Sequence, residues 1–256
     1  MSIVAGCASE RQAHVAGHRP IFGCGTLPEV HSEPPFNASP LTIAHRAGND
    51  PALARAAYDA GADLIEIDVW RYRGRLEVRH TKTMPLLPLL WDRWSIEPGW
   101  RPRLLLEDLL AVLPPDVGIM LDLKGNDALL PAALLRALDA HPRTGLVAVC
   151  SQNWALVDAF GSRPGIVLIH SVGKSRHLRR LLPHLASHEA ATSVAISIQQ
   201  RLLDPATVRT LKDVAAHVMT WPINDAARAQ ELVDWGVDGV ISDDIAVVRE
   251  IVAGRQ

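Results

Sequence analysis

The stretch LTIAHRAGNDPALARAAYDAGADLIEIDVW (41–70) decides the fold of this chain. It contains an apolar run, LTIAH (41–45), a helical pattern, PALARAAYDAG (51–61), and a second apolar run, DLIEIDVW (63–70). Short runs rich in Val, Ile and Leu that alternate with helical segments are typical of βαβ units in a parallel sheet. Residues 41–70 therefore predict one such unit.

The same alternation continues along the rest of the chain. Further strands are predicted at GIMLDLK (118–124), GLVAVCS (145–151), GIVLIHS (165–171), SVAISIQ (193–199), HVMTWPI (217–223) and GVISD (239–243). Helical stretches such as LLPAALLRALDAH (129–141) lie between them. Eight strands and eight helices predict an α/β fold, a single (β/α)8 TIM barrel over residues 41–256. A doubly wound sheet is the alternative, but the glycine-rich turn after its first strand is absent here.

Residues 1–40 show no helical or strand periodicity, and we expect a short irregular N-terminal arm. The segment MSIVAGC (1–7) ends like a lipoprotein cleavage box at Cys7, but it lacks the basic and long apolar regions of such a signal. Three cysteines are too few and odd in number for a disulfide framework. We therefore expect a cytoplasmic protein, with a lipoprotein-like N-terminus at Cys7 as the alternative.

The composition excludes several classes of protein. Hydrophobic residues make up 48% and charged residues 21%, as in ordinary globular chains. The net charge of -2 provides no field that would attract nucleic acid, and no run approaches the roughly 18 apolar residues of a transmembrane segment. We expect a few placed cations to hold any anionic substrate. No pattern indicates an oligomeric state.

The chemistry of such barrels lies at the C-terminal ends of the strands, where the βα loops form the mouth. Glu66 and Asp68 are two residues apart on the second strand, and Asp122 and Lys124 on the next, so each pair shares one face. The other residues at predicted strand ends are His45 and Arg46, His80 at the end of RLEVRH (75–80), and Trp221.

Three inward carboxylates suit a hard divalent cation such as Mg²⁺ or Ca²⁺. Two histidines and two cations beside them favour proton transfer on an anionic substrate, and a phosphodiester fits best. Each residue also has an alternative interpretation. A histidine can be structural, Glu66 and Asp68 can pair with Arg71 and Arg73, and Lys124 can be the Schiff-base lysine of an aldolase.

At these residues the sequence resembles the glycerophosphodiester phosphodiesterase family. The motifs that carry the resemblance are HR (45–46), EID (66–68), His80, DLK (122–124), TWPIN (220–224) and GVDGVISD (236–243). The resemblance covers about residues 41–250. It implies metal-dependent hydrolysis of glycerophosphodiesters to glycerol 3-phosphate and an alcohol.

The resemblance also implies a role for each matching residue. His45 and His80 correspond to the acid/base pair, and Glu66, Asp68 and Asp122 to the ligands of one Mg²⁺ or Ca²⁺ ion. The corresponding phosphate contacts are Arg46 and Lys124, and Trp221 corresponds to a wall against the alcohol.

Several departures from the family pattern concern the substrate. The first loop is short, Thr81 follows the second histidine in place of Asp, and Asp122 stands where most members have Glu. These features are similar to the sphingomyelinase D/phospholipase D-like branch of the superfamily, so a lipid phosphodiesterase or cyclising lyase is the alternative. An inactive barrel that binds phosphodiesters is a third interpretation, from a different class.

The segment TMPLLPLLWDRWSIEPGW (83–100) follows the second histidine and has no clean helical or strand period. It is rich in leucine and contains Trp91, Trp94 and Trp100. One interpretation is a lid whose apolar side chains pack on the barrel rim. The other is a surface for transient lipid contact, since tryptophan suits a membrane–water interface.

Overall fold

The computed structural model of the chain describes residues 40–84, 87–92, 95–161, 163–186 and 194–255. The predicted arm with Cys7 lies outside the described residues apart from Pro40, and Trp94 also lies outside them. Within the described part the chain forms a closed ring of eight parallel strands, because the last strand of the ring pairs with the first. The predicted (β/α)8 TIM barrel is confirmed.

The ring follows chain order. Its strands are β1 (Leu41–Ala44), β2 (Leu64–Tyr72), β7 (Ile119–Leu123), β8 (Val147–Ser151), β9 (Ile166–Val172), β10 (Ala195–Gln199), β11 (His217–Trp221) and β12 (Gly239–Ser242). Four shorter strands lie between β2 and β7: β3 (Arg75–Val78), β4 (Lys82–Thr83), β5 (Leu89–Asp92) and β6 (Ser95–Pro98). The helices are α1 (Pro51–Asp59), α2 (Leu106–Val112), α3 (Leu130–Ala140), α4 (Trp154–Asp158), α5 (Ser175–Ala186), α6 (Pro205–Lys212), α7 (Ala226–Asp234) and α8 (Ile245–Ala253).

Strand alternation sorts the side chains of each strand between the barrel interior and the helix layer. Leu41 and Ile43 of β1 point inward, whereas Ala44 packs in the layer under the helices. The interior core consists of Leu41, Ile43, Leu64, Met120, Ala148, Cys150, Ile169, Ala195, Met219 and Ile241. Continuing the same period of two toward the C-terminal ends brings the polar residues of the predicted site onto the inward face.

Local sequence explains where several helices begin. An aspartate accepts hydrogen bonds from the first backbone N–H groups of α1, α6, α7 and α8. Such caps satisfy donors that have no partner within the helix. In α1 and α6 a proline directly follows the aspartate, where its missing N–H costs nothing. None of the described helices is long and apolar enough to span a membrane.

The segment after His80 contains structure that the sequence pattern did not predict. Strands β4, β5 and β6 form a small antiparallel sheet. Leu90 is buried in it, whereas Trp91 and Ile96, which pair with each other across β5 and β6, are 40% and 69% exposed. Strands this short carry too few alternations to produce a recognisable period.

Candidate active site

The loop after β1 places His45 and Arg46 at the mouth of the barrel. Arg46 has a φ of 55°, a conformation that costs an L-residue roughly 1–2 kcal/mol. Its backbone N–H donates to the Glu66 carboxylate, which accounts for this conformation. Gly48 is required two residues later, because a Cβ there would lie 2.3 Å from Ile67 Cγ1. The short loop therefore packs directly on the strand that carries the acidic residues.

Three carboxylates converge beside this loop. Glu66, Asp68 and Asp122 each offer an oxygen, and these oxygens all lie within 4.8 Å of one another. Asp68 and Asp122 are direct neighbours in the pairing of β2 with β7. The Lys124 ammonium lies 2.6 Å from Asp68 Oδ1 and also contacts Asp122. One ammonium is thus shared among carboxylates that are closely packed in the barrel.

The electrostatics differ from one carboxylate to the next. Burial, followed by the charge of Asp68, raises the pKa of Glu66 well above its ordinary value. Burial also raises the pKa of Asp122, although Lys124 opposes it. For Asp68, burial acts in the same direction, but the Lys124 charge and the hydrogen bond from His80 outweigh it and lower the pKa. The arrangement therefore favours additional positive charge beside Glu66 and Asp122.

Both predicted histidines face a carboxylate through Nδ1. His45 Nδ1 lies 2.6 Å from Asp243 Oδ1, and His80 Nδ1 lies 3.1 Å from Asp68 Oδ2. A carboxylate at Nδ1 favours the tautomer with its proton on that nitrogen, which leaves Nε2 to exchange a proton with a substrate. Burial and the adjacent Arg46 lower the pKa of His45, while Asp243 opposes them.

A cavity of about 110 Å³ joins these groups. Its walls include both histidines, Arg46, Lys124 and, at the end of β11, Trp221. Three further polar side chains line it: Gln152 from the loop after β8, Ser171 from β9 and Ser197 from β10. Cys150 also lines the cavity, but burial raises the pKa of its thiol well above the ordinary value, so it is a poor nucleophile.

Two of the alternative interpretations lose support. Arg71 pairs with Asp127 at 2.7 Å, so it is engaged away from Glu66 and Asp68. Contacts with Asp122 and Asp68 outweigh burial and raise the pKa of Lys124. A Schiff-base lysine must act as a neutral amine, which this environment opposes.

Sequence reasoning missed one site residue, Asn49, and assigned no role to another, Asp243 at the end of the eighth strand. Asn49 donates to Asp68 Oδ2 at 2.7 Å and accepts from the Asp68 backbone N–H at 2.9 Å. It lies in a short 3-10 helix, Ala47–Asn49, where no periodic signal marks it. Asp243, the partner of His45, lies two residues after Ile241, which faces the barrel interior. Strand alternation therefore predicts that Asp243 faces inward as well. Asn224 holds Asp243 by accepting from its backbone N–H at 2.9 Å.

Comparison with known proteins supports the resemblance seen in the sequence. Residues 142–247 match the model of the glycerophosphoryl diester phosphodiesterase family. No curated protein matches the chain. The family match spans fewer than half of the residues; it confirms the resemblance and supports the class of enzyme that it implied.

Solved structures of similar fold cover most of the chain. A phosphodiesterase from Oleispira antarctica, in complex with the product sn-glycerol-3-phosphate, is 22% identical, with a TM-score of 0.66 over 85% of this chain and 97% of its own. A glycerophosphodiester phosphodiesterase from Parabacteroides distasonis is 19% identical, with a TM-score of 0.63 over 85% and 98%. One from Thermotoga maritima is 16% identical, with a TM-score of 0.62 over 84% and 97%. At these identities the likeness establishes the fold.

Proposed function

We propose that this protein hydrolyses glycerophosphodiesters to glycerol 3-phosphate and an alcohol, using one divalent cation and two histidines. The observation that carries the proposal is the convergence of Glu66, Asp68 and Asp122 within 4.8 Å, with His45 and His80 lining the same cavity. The product bound to the Oleispira antarctica phosphodiesterase supports the same substrate class for this barrel.

The donor set fits a hard cation. Three carboxylates packed this closely need more positive charge than Lys124 supplies, and an all-oxygen set suits Mg²⁺ or Ca²⁺ rather than a softer metal. An ion held by these three residues would supply Lewis-acid polarisation of the phosphate oxygens and an anchor for the attacking hydroxyl. Asn49 fixes the orientation of the Asp68 carboxylate through its two hydrogen bonds.

The two histidines carry the proton transfers. One accepts the proton of the attacking hydroxyl at Nε2, and the other donates a proton to the leaving alkoxide. Each such transfer contributes typically about 10²–10⁴-fold to the rate. Asp243 and Asp68 orient the two rings and stabilise each imidazolium while it is charged. The attacking hydroxyl belongs to water or to the substrate itself, and in the second case a cyclic phosphate forms first.

The remaining cavity residues hold the substrate. Arg46, whose side chain is 42% exposed at the mouth, and Lys124 contact the phosphate oxygens. Trp221, at the end of β11, packs against the alcohol. Because the net charge of the chain is -2, these local cations rather than the overall field account for binding of an anion.

The proposal is tested by product analysis with glycerophosphocholine, lysophosphatidylcholine and sphingomyelin in Mg²⁺, Ca²⁺ or EDTA. EDTA should abolish turnover, and Asp68→Asn should lower it at least about 100-fold, because a neutral amide binds a hard cation less well. Asp127→Asn is the matched control, since Asp127 pairs with Arg71 away from the site. Full activity after demonstrated metal removal would refute the metal role, and binding without turnover would indicate an inactive barrel.

One observation favours a second candidate, a lipid phosphodiesterase or cyclising lyase. Strand β5 lies beside the site, because Asp92 Oδ1 is 4.0 Å from His80 Nε2. Trp91, the residue before Asp92, and Ile96, which pairs with Trp91, are exposed. Leu87 and Trp100 nearby in the sequence are 51% and 69% exposed. Lys82 Nζ lies 5.2 Å from the centre of the Trp91 ring. An exposed apolar surface with an adjacent cation suits transient contact with a phospholipid headgroup and acyl chain.

A further inference from the structure

A second cluster of metal-binding side chains lies outside the barrel interior. Ile169 and Ser171 of β9 face inward, so His170 between them faces the helix layer. There it meets Asp158 at the end of α4 and His184 on α5. One ligand atom from each of these three residues lies within 4.8 Å of the others.

The Asp158 carboxylate joins the two imidazoles. Its Oδ1 lies 2.8 Å from His170 Nε2, and its Oδ2 lies 3.2 Å from His184 Nε2. Ligands about 2.1 Å from a tetrahedral zinc ion are roughly 3.4 Å apart. The two observed separations are somewhat shorter than this spacing, so the three side chains are already close enough together to hold one ion.

The surroundings also suit a bound ion. His170 is 2% exposed, whereas the side chains of Asp158 and His184 are each 22% exposed and leave an approach from solvent. The Trp154 ring lies 4.8 Å from the His184 ring and 6.0 Å from the His170 ring. Its Nε1 donates to the Ser171 carbonyl at 3.0 Å, which fixes the indole as a wall beside the imidazoles.

We propose that Asp158, His170 and His184 form a zinc-type transition-metal site that links β9 to α4 and α5. Two imidazole nitrogens and one carboxylate oxygen suit Zn²⁺ and its first-row neighbours, whereas the all-oxygen catalytic set suits Mg²⁺ or Ca²⁺. The two sites face opposite sides of the barrel wall and differ in donor chemistry. The second site is therefore independent of the proposed function.

The experiment is a Zn²⁺ titration of the full chain against a chromophoric chelator. It uses the Asp68→Asn background, which weakens zinc binding at the catalytic carboxylates. Adding His184→Gln or Asp158→Asn should weaken zinc binding at least about 100-fold. Removal of a side chain that only hydrogen-bonds to a metal ligand already lowers metal affinity about 10–100-fold, and these variants remove a ligand itself. Zinc should raise the melting temperature of the parent, and this rise should disappear in both variants.

His177→Gln is the matched control. His177 lies on the same helix, with its ring 6.3 Å from the Trp154 ring, but it is not among the three converging ligands. We expect its zinc affinity to equal that of the parent, and X-ray absorption at the zinc edge to show two imidazoles in the parent. His184 is partly exposed, so its variant should fold, which circular dichroism checks. Equal zinc affinity in the parent, His184→Gln and Asp158→Asn would overturn the site, and so would a His177→Gln loss matching that of His184→Gln.

Discussion

Asp243→Asn is expected to impair catalysis while leaving substrate binding nearly unchanged. Asp243 Oδ1 lies 2.6 Å from His45 Nδ1, on the side of the ring away from the proposed proton transfer. The substitution keeps the shape of the side chain and removes its charge. The His45 imidazolium then loses its charged partner, and only a neutral amide, which can present its oxygen or its nitrogen to Nδ1, is left to fix the tautomer.

The magnitude follows from this one contact. A hydrogen bond to a charged group contributes about 1.5–3 kcal/mol. The Asp243 side chain is 43% exposed, so we take the lower part of that range, about 1.5–2 kcal/mol, because solvent weakens the interaction. At 1.36 kcal/mol per factor of ten, kcat should fall roughly 10- to 30-fold. The loss is larger if the amide nitrogen faces Nδ1 and reverses the tautomer.

The assay is steady-state turnover of a glycerophosphodiester at saturating metal. KM should change less than kcat, since Asp243 contacts the histidine rather than the phosphate. Asp225→Asn removes a charge from the exposed N-cap of α7 and should leave kcat unchanged. Asn224→Ala should give a smaller loss than Asp243→Asn, because it loosens Asp243 and keeps the charge. A kcat for Asp243→Asn within threefold of the parent would refute the proposed orientation of His45.

His45→Ala and His80→Ala should each lower kcat by at least about 100-fold at unchanged metal affinity; a p-nitrophenyl leaving group should rescue only the general-acid variant, and rescue of neither would contradict the division of roles. Trp91→Ala should reduce turnover of lysophosphatidylcholine in vesicles several-fold more than that of glycerophosphocholine, and equal losses would favour the structural lid. Asp63→Ala should lower the free energy of unfolding by about 2–4 kcal/mol in a urea titration, because Asp63 Oδ2 accepts from the N–H and hydroxyl of fully buried Thr42 and from Arg255. The control variant Asp139→Ala breaks an exposed pair with Arg163 and should change the free energy of unfolding by less than about 0.5 kcal/mol. Similar losses of stability in both variants would contradict the role of Asp63.

Local sequence was sufficient for the barrel and for part of the site. Each βα unit is encoded within about 27 residues by hydrophobic periodicity and turn residues, so the strands were predicted within a few residues of their observed bounds. The inward parity of Glu66 with Asp68 and of Asp122 with Lys124 follows from strand alternation alone. The roles of individual residues came from the family resemblance, because spacing does not distinguish an acid from a metal ligand.

Only the tertiary structure decided which distant residues meet. His45 and Asp243 are 198 positions apart and come together because β1 pairs with β12 to close the ring. Asn49 reaches Asp68 from a short 3-10 helix, and His184 reaches Asp158 across the helix layer. Hydrophobic periodicity determines which face of an element is buried, but it carries no information on which elements become neighbours. Contacts across the closed barrel and between its helices are therefore fixed by packing alone.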